Sequence, residues 1–354
     1  MKKTVATVAL VVAGLVCTTG AAFAHIAAPT WTTANSVSTG DQDNASVATK
    51  RNGYVAVVWE DDPDGNGYYN IPYRVVNTAG AVTASGNANS SATGQQINPR
   101  VAVDPDGAPA GAGVAFTVVW EDIQTGAQAT VKAAGFTGPT TRAWEISASA
   151  TTGQHHNPDV AVSASGDAVV VWDDDADGNG YYQIGLIRLA RTNGAATLSR
   201  RSANASGGGQ QTHASVAADF NGDFAVAWES DHTGTPGVWT RSFTSTGTAR
   251  YVDTEVAGGG TAPSIGIDDQ AQSVVGWTTQ GSDPDVWVRG FGTDGTDTGR
   301  LSSQKLSSVS TGRQEQMAVA VSPYAEVAVA YTDDSDGNTY DQVILGTGIS
   351  NNSW

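Results

Sequence analysis

A chain of 354 residues with 35 acidic and 18 basic side chains has a formal charge of −17, which argues against nucleic acid as a partner. Its single cysteine cannot form an intrachain disulfide, so stability must come from a buried apolar core, for which the length is ample. Past the first two dozen residues no segment approaches the roughly 20 apolar residues of a membrane-spanning helix, so no membrane insertion is expected.

The N-terminus reads Lys2 and Lys3, an apolar stretch from Val5 to Val16, then Ala22-Phe23-Ala24, the pattern of a signal peptide over residues 1–24. A secreted, extracellular chain from His25 to Trp354 is expected, as one domain. It would lose Cys17 and two lysines, leaving 16 basic against 35 acidic residues.

One anchor then returns six times, at Trp59, Trp120, Trp172, Trp228, Trp277 and Tyr331, spaced by 61, 52, 56, 49 and 54 residues. Each closes an apolar run of strand type, such as Val55-Ala56-Val57-Val58-Trp59 or Val169-Val170-Val171-Trp172, where strand B is predicted to end. A shorter run precedes it across a tight turn, as in Val160-Ala161-Val162 before Ala164-Ser165-Gly166-Asp167, which predicts an A–B hairpin. An Asp/Gly-rich loop, an alternating strand C such as Tyr182-Gln183-Ile184-Gly185-Leu186-Ile187-Arg188 and a polar strand D complete each unit. Four strands per period of about fifty residues predict an all-β, six-bladed β-propeller of four-stranded blades. The last unit stops after strand C at Val343-Ile344-Leu345, while Ser36-Val37-Ser38-Thr39-Gly40-Asp41-Gln42 repeats Ser308-Val309-Ser310-Thr311-Gly312-Arg313-Gln314. The N-terminal segment is therefore expected to complete the last blade and close the ring, which removes open sheet edges.

The pattern GxQxNPxVAV…GxxVVVW…G…R…G resembles the integrin-like or FG-GAP-like propeller repeats of secreted bacterial proteins, over nearly all of the chain after the signal. That resemblance implies the propeller and points to adhesins, calcium-binding exoproteins and carbohydrate-binding modules. The chain also resembles the propeller lectin subunits of the umbrella toxin particles of filamentous actinobacteria, without the protease-like domain those usually carry.

In a propeller the B–C and D–A loops share one face, where function is expected. The B–C loops place Asp62, Asp64 and Asn66 in blade one, Asp175, Asp177 and Asn179 in blade three, and Asp334, Asp336 and Asn338 in blade six. Oxygen side chains at alternate positions beside glycine match the first half of a calcium loop, so calcium is a candidate cofactor. The second half is missing, since Tyr73 and Leu186 stand where the bidentate glutamate belongs. The same Asp, Asn and Gly residues also suit a plain hairpin turn, and both readings stay open. The corresponding loops of blades two, four and five depart from the pattern.

The D–A loops present Gln42, Gln96, His155, Gln211 and Gln314, followed two residues later by Asn44, Asn98, Asn157, His213 and Gln316. These groups suit either bonds between blades or a ring of hydrogen-bonding groups for sugar hydroxyls. Tyr68, Tyr69, Tyr181, Tyr182 and Tyr340 are candidate stacking surfaces, with one tyrosine of each pair expected to face the blade packing. No GxSxG, HExxH or cysteine nucleophile is present, and acidic groups recurring as near-copies suggest equivalent binding sites rather than one asymmetric centre. The expectation is a secreted, monomeric, non-enzymatic protein, lectin-like or adhesin-like, engaging a glycan or a cell-surface partner. The alternatives are an assembly module docking another secreted protein and a glycoside hydrolase with an unrecognised centre.

Overall fold

The computed structural model describes residues 33–35, 39–50, 52–106, 114–124, 128–297, 301–307, 312–336 and 341–349. They fold into six antiparallel sheets arranged as a β-propeller, and no helix occurs among the described residues. Blade one comprises β1 (Asp41–Thr49), β2 (Val55–Asp62), β3 (Pro72–Val76) and β4 (Val82–Asn87), and blade two β5 (Gln95–Val103), β6 (Phe116–Ile123), β7 (Thr130–Gly138) and β8 (Thr141–Ser147). Blade three comprises β9 (Gln154–Val162), β10 (Ala168–Asp175), β11 (Gln183–Leu189) and β12 (Ala196–Ser202), and blade four β13 (Gln211–Ala218), β14 (Phe224–Ser230), β15 (Gly237–Phe243) and β16 (Thr254–Gly258). Blade five comprises β17 (Gly260–Ile267), β18 (Ser273–Thr279), β19 (Val286–Phe291) and β20 (Gln304–Lys305), and blade six β21 (Gln314–Val321), β22 (Val327–Asp333) and β23 (Gln342–Ile349). Within each sheet the strands pair in chain order. The segment Ser36–Ser38, expected as the fourth strand of blade six, lies outside the described residues.

Successive A strands pack against one another, β1 on β5, β5 on β9, and so on to β21, so they form the innermost layer. Each apolar core fills a seam between two adjacent blades: Tyr73, Phe116 and Phe136 between blades one and two, Leu186, Phe224 and Trp228 between blades three and four. A sheet covered on both faces needs strands that are apolar throughout, which is why strand B reads as an unbroken run rather than an alternating one. Trp120, Trp172 and Trp228 are fully buried.

Strand B does not end at the anchor as predicted: β2 runs on to Asp62, β6 to Ile123 and β10 to Asp175. The acidic residues after each anchor are therefore strand residues with fixed, alternating directions. Opposite them the A–B ladder breaks register, as between Ile97 and Arg100 or Thr212 and Ser215. At each break stands one non-glycine residue in the left-handed region: Asn44, Asn98, Asn157, His213, Ala262 and Gln316, with φ from 47° to 54°. Asparagine tolerates this conformation best among residues with a side chain, and a bulge so placed re-aims the strand end.

Candidate functional site at the axial mouth

The residue after each anchor builds a polar arc where the A strands begin. Glu60 Oε1 accepts the Asn98 backbone N–H at 2.6 Å and Asn44 Nδ2 at 2.8 Å. Glu121 Oε1 accepts the Asn157 N–H at 2.8 Å and Asn98 Nδ2 at 2.6 Å. Asp173 accepts the His213 N–H at 2.8 Å and Asn157 Nδ2 at 2.7 Å, and Glu229 accepts the Ala262 N–H at 2.7 Å and the Thr261 hydroxyl at 2.5 Å. Each carboxylate thus takes the backbone N–H of the left-handed residue in the next blade, while most take that residue's counterpart side chain from their own blade. The bulge is what turns this N–H out of the ladder and toward the neighbouring carboxylate.

The arc is not six-fold. Blades five and six place Thr278 and Thr332 where the others place acids. Two histidines enter only on one side: His156 Nδ1 donates to Glu121 Oε2 at 2.9 Å, and His213 Nδ1 lies 3.3 Å from Glu229 Oε2. Because an ionised carboxylate only accepts, Nδ1 carries the proton in both contacts.

Protonation differs sharply along the arc. Burial pushes the Asp173 carboxyl up to about 7 against the opposing pull of Asn157 and His213. Burial alone would also raise Glu121, yet the His156 imidazole, the Asn157 N–H and Asn98 outweigh it and hold the group below its usual value. Glu229 is held low in the same way by His213, Thr261 and the Ala262 N–H. The carboxylates in turn raise His156 and His213, through Glu121 and Glu229 respectively. Two ionised carboxylates therefore flank one that keeps its proton near neutrality, an arrangement that separates acid and base roles.

The residues singled out from the sequence divide differently. Gln96, His155, Gln211 and Gln314 are buried staples inside their blades, not members of an open ring. Gln96 Nε2 donates to Thr93 O at 2.8 Å, His155 Nε2 to Thr152 O at 2.9 Å, and Gln314 Nε2 to Asp333 Oδ1 at 2.9 Å. Gln211 Nε2 bonds Gly208 O at 2.5 Å, and Gln42, less buried, bonds Thr39 O at 2.9 Å. Sequence reasoning placed these side chains on the face because it put strand A too late; they lie within it.

In the B–C loops the oxygens expected to hold calcium accept bonds from the loop itself. Asp62 accepts the N–H groups of Asn66 and Gly67 at 3.1 and 2.8 Å, and Asp64 accepts Asn66 Nδ2 at 2.9 Å. Blade three repeats this with Asp175, Asp177 and Asn179. Asp336 accepts Gln342 Nε2 at 2.9 Å, and Asp334 lies beside it in the same loop. Asn338 and Tyr340 lie outside the described residues. Among the described residues no three His, Cys, Asp or Glu side chains gather as a metal site. Tyr68 and Tyr181 are 46 % and 57 % exposed, whereas Tyr69 and Tyr182 are partly buried. The Tyr69 hydroxyl donates to Asp41 at 3.4 Å, and the Tyr182 ring lies 6.1 Å from His156.

Sequence reasoning did not single out these carboxylates as one set, although their signal was present: an acid follows the anchor in Trp59-Glu60, Trp120-Glu121, Trp172-Asp173 and Trp228-Glu229 but not in Trp277-Thr278 or Tyr331-Thr332.

No protein-family model and no curated protein sequence matches the chain. Solved structures do share its shape. One is a protein of unknown function from Dyadobacter fermentans, at 12% identity and a TM-score of 0.52, covering 88% of this chain and 96% of that one. Another is an α-L-arabinofuranosidase of Fusarium graminearum at 10% identity, covering 86% of this chain and 93% of that one. It has a TM-score of 0.57 with an iminosugar inhibitor bound and 0.55 with arabinobiose. These similarities establish the propeller. One of the two is a glycoside hydrolase, and neither is an integrin-like or FG-GAP-like protein by name. They also overturn the expectation of a non-enzymatic, lectin-like face. That expectation rested on acids recurring as equal copies, and the carboxylates at the axis are unequal in partners and protonation.

Proposed function

We propose that this protein is a propeller glycoside hydrolase with its reacting groups at the axial mouth. The observation that carries the reading is Asp173, holding its proton to about pH 7 between Glu121 and Glu229, both held ionised. Cleaving a glycosidic bond requires an acid to protonate the departing oxygen and an ionised carboxylate for the charge developing at the sugar. Glu229, with its side chain 23 % exposed, is the carboxylate within reach of a substrate, and the His213 imidazole it holds is 56 % exposed. Asp173 lies beneath, bonded to the His213 backbone. In this reading the His213 imidazolium supplies the proton, Asp173 holds the His213 main chain in place beneath it, and Glu229 supplies the negative charge. Glu121 serves by fixing His156 and Asn157. The acid-and-base division at the axis and the shape shared with an α-L-arabinofuranosidase both support it.

The test is hydrolysis of aryl glycosides and of arabino-, xylo- and manno-oligosaccharides. Wild type should turn over at least one class, and Glu229→Gln and Asp173→Asn should each lower kcat about 10²-fold or more while both variants remain folded by circular dichroism at the assay temperature. No turnover of any member by wild type, or full activity in Glu229→Gln, overturns the proposal.

A further inference from the structure

Two exposed tyrosines stand on the rim of this mouth, in loops that are conformational copies. Tyr68 and Tyr181 each donate a backbone N–H to an asparagine side chain, Asn66 or Asn179, at 2.7 Å. The flanking glycines agree closely, with φ of 69° and 82° at Gly65 and Gly67 and of 68° and 81° at Gly178 and Gly180. A Cβ added at any of the four would meet nothing within 4 Å, so both loops project into solvent. Their inner ends are nevertheless fixed to the mouth: the Gln96 N–H bonds Tyr69 O at 3.2 Å and the Gln211 N–H bonds Tyr182 O at 3.0 Å. Gln95 and Gln210 side chains reach back to Gly67 and Gly180 carbonyls. Each loop therefore holds one large aromatic ring out into water on a pinned backbone, where it adds nothing to the core.

The electrostatics of the same face are one-sided. Asp41, Asp43, Glu60, Glu121, Glu229 and Glu315 lie at the strand ends around the opening. The cations near them are already engaged: Arg313 lies 3.4 Å from Glu315 and 3.5 Å from Asp341, Lys132 lies 4.0 Å from Asp122, and Arg100 Nη1 bonds Pro99 O at 2.9 Å. A sugar bearing a carboxylate or sulfate would meet negative potential with no spare guanidinium among the described residues to receive it. An uncharged sugar meets no such barrier and offers an apolar ring face to tyrosine.

Resting on the reading of this face as glycan-acting, we propose that the substrate is an uncharged polysaccharide whose outer units stack on Tyr68 and Tyr181. These side chains determine specificity; they are not placed among the reacting groups.

Affinity electrophoresis of wild type, Tyr68→Ala, Tyr181→Ala and the double variant, in gels containing arabinan, arabinoxylan, galactomannan or polygalacturonate, reads binding without turnover. Neither substitution touches the backbone N–H that closes the loop. At least one neutral polymer should retard wild type, each single variant should bind it about threefold to tenfold more weakly, and the double variant more weakly still. Retardation by none of the neutral polymers, equal retardation of the double variant, or preference for polygalacturonate overturns the proposal. Hydrolysis assayed in parallel separates the two readings: retention that needs the tyrosines without turnover sinks only the hydrolase, and turnover indifferent to the tyrosines sinks only the stacking sites.

Discussion

Asp173 and Asp62 are the same residue type two positions apart in the repeat, in blades three and one, yet their surroundings drive them in opposite directions. Asp173 is 2 % exposed and burial raises it, whereas at Asp62 the N–H groups of Gly67, Asn66 and Gly65 outweigh desolvation and lower it. A carboxyl raised in the folded state binds more protons there than in the unfolded chain, so Asp173 makes stability fall as pH rises from about 4 to about 7. His156 and His213, raised by Glu121 and Glu229, act in the same direction, their contribution being complete below the unfolded histidine value and lost above it. Glu121 and Glu229, held low, contribute above the ordinary glutamate range and lose that contribution as acid is added. Thermal melts across pH 4–9 should therefore show a maximum on the acid side of neutrality. In Asp173→Asn the decline from pH 5 to 8 should flatten by an amount on the order of a few kcal/mol; an unchanged slope would contradict the burial of its charge.

Among the elements, the bulge in strand A does most to make the site. Asn98, at φ 52°, supplies its backbone N–H to Glu60 and its side chain to Glu121. Asn98→Val should cost about 2 kcal/mol or more in urea unfolding, because a β-branched residue resists the left-handed conformation and the bond to Glu121 is lost. Asn98→Gly should cost less, since only the side-chain bond disappears; the reverse order would show that backbone strain is unimportant here. Strand C has a different constraint. A Cβ on Gly185 would sit 2.3 Å from Cε2 of the fully buried Trp172, so Gly185→Ala should destabilise by about 1–3 kcal/mol. The strands and their period were legible because two-sided burial demands unbroken apolar runs, each ended by a large ring. The bulge was not, because an Asn-Pro pair such as Asn98-Pro99 reads equally well as a loop. That misreading moved Gln96 and His155 from the blade interior to the surface. It also concealed that Glu121 and Asp173 point at the neighbouring blade.

For the whole molecule, the fold was legible and the function was not. Repetition reveals architecture, since each blade meets its neighbour through the same seam, but a reaction centre depends on where repetition fails. Thr278 and Thr332 in place of acids, and histidines confined to blades three and four at the arc, are departures that a consensus pattern averages away. The excess of acids sets a global property as well. With 35 acidic against 18 basic residues, self-repulsion opposes the compact state, so 0.5 M sodium chloride should raise the melting temperature by roughly a few degrees. A fall would mean that pairs between blades, such as Arg191 with Asp104 at 2.9 Å, outweigh that repulsion.

The contact by which Glu60, Glu121, Asp173 and Glu229 each grip the main chain of the following blade links chemistry to assembly. A sheet folded correctly but docked a fraction of an ångström away would leave its acid ungripped and wrongly charged. The proposed hydrolytic activity would then register faulty docking before any spectroscopic loss of β-structure, and mild denaturant should abolish it while the strands remain intact.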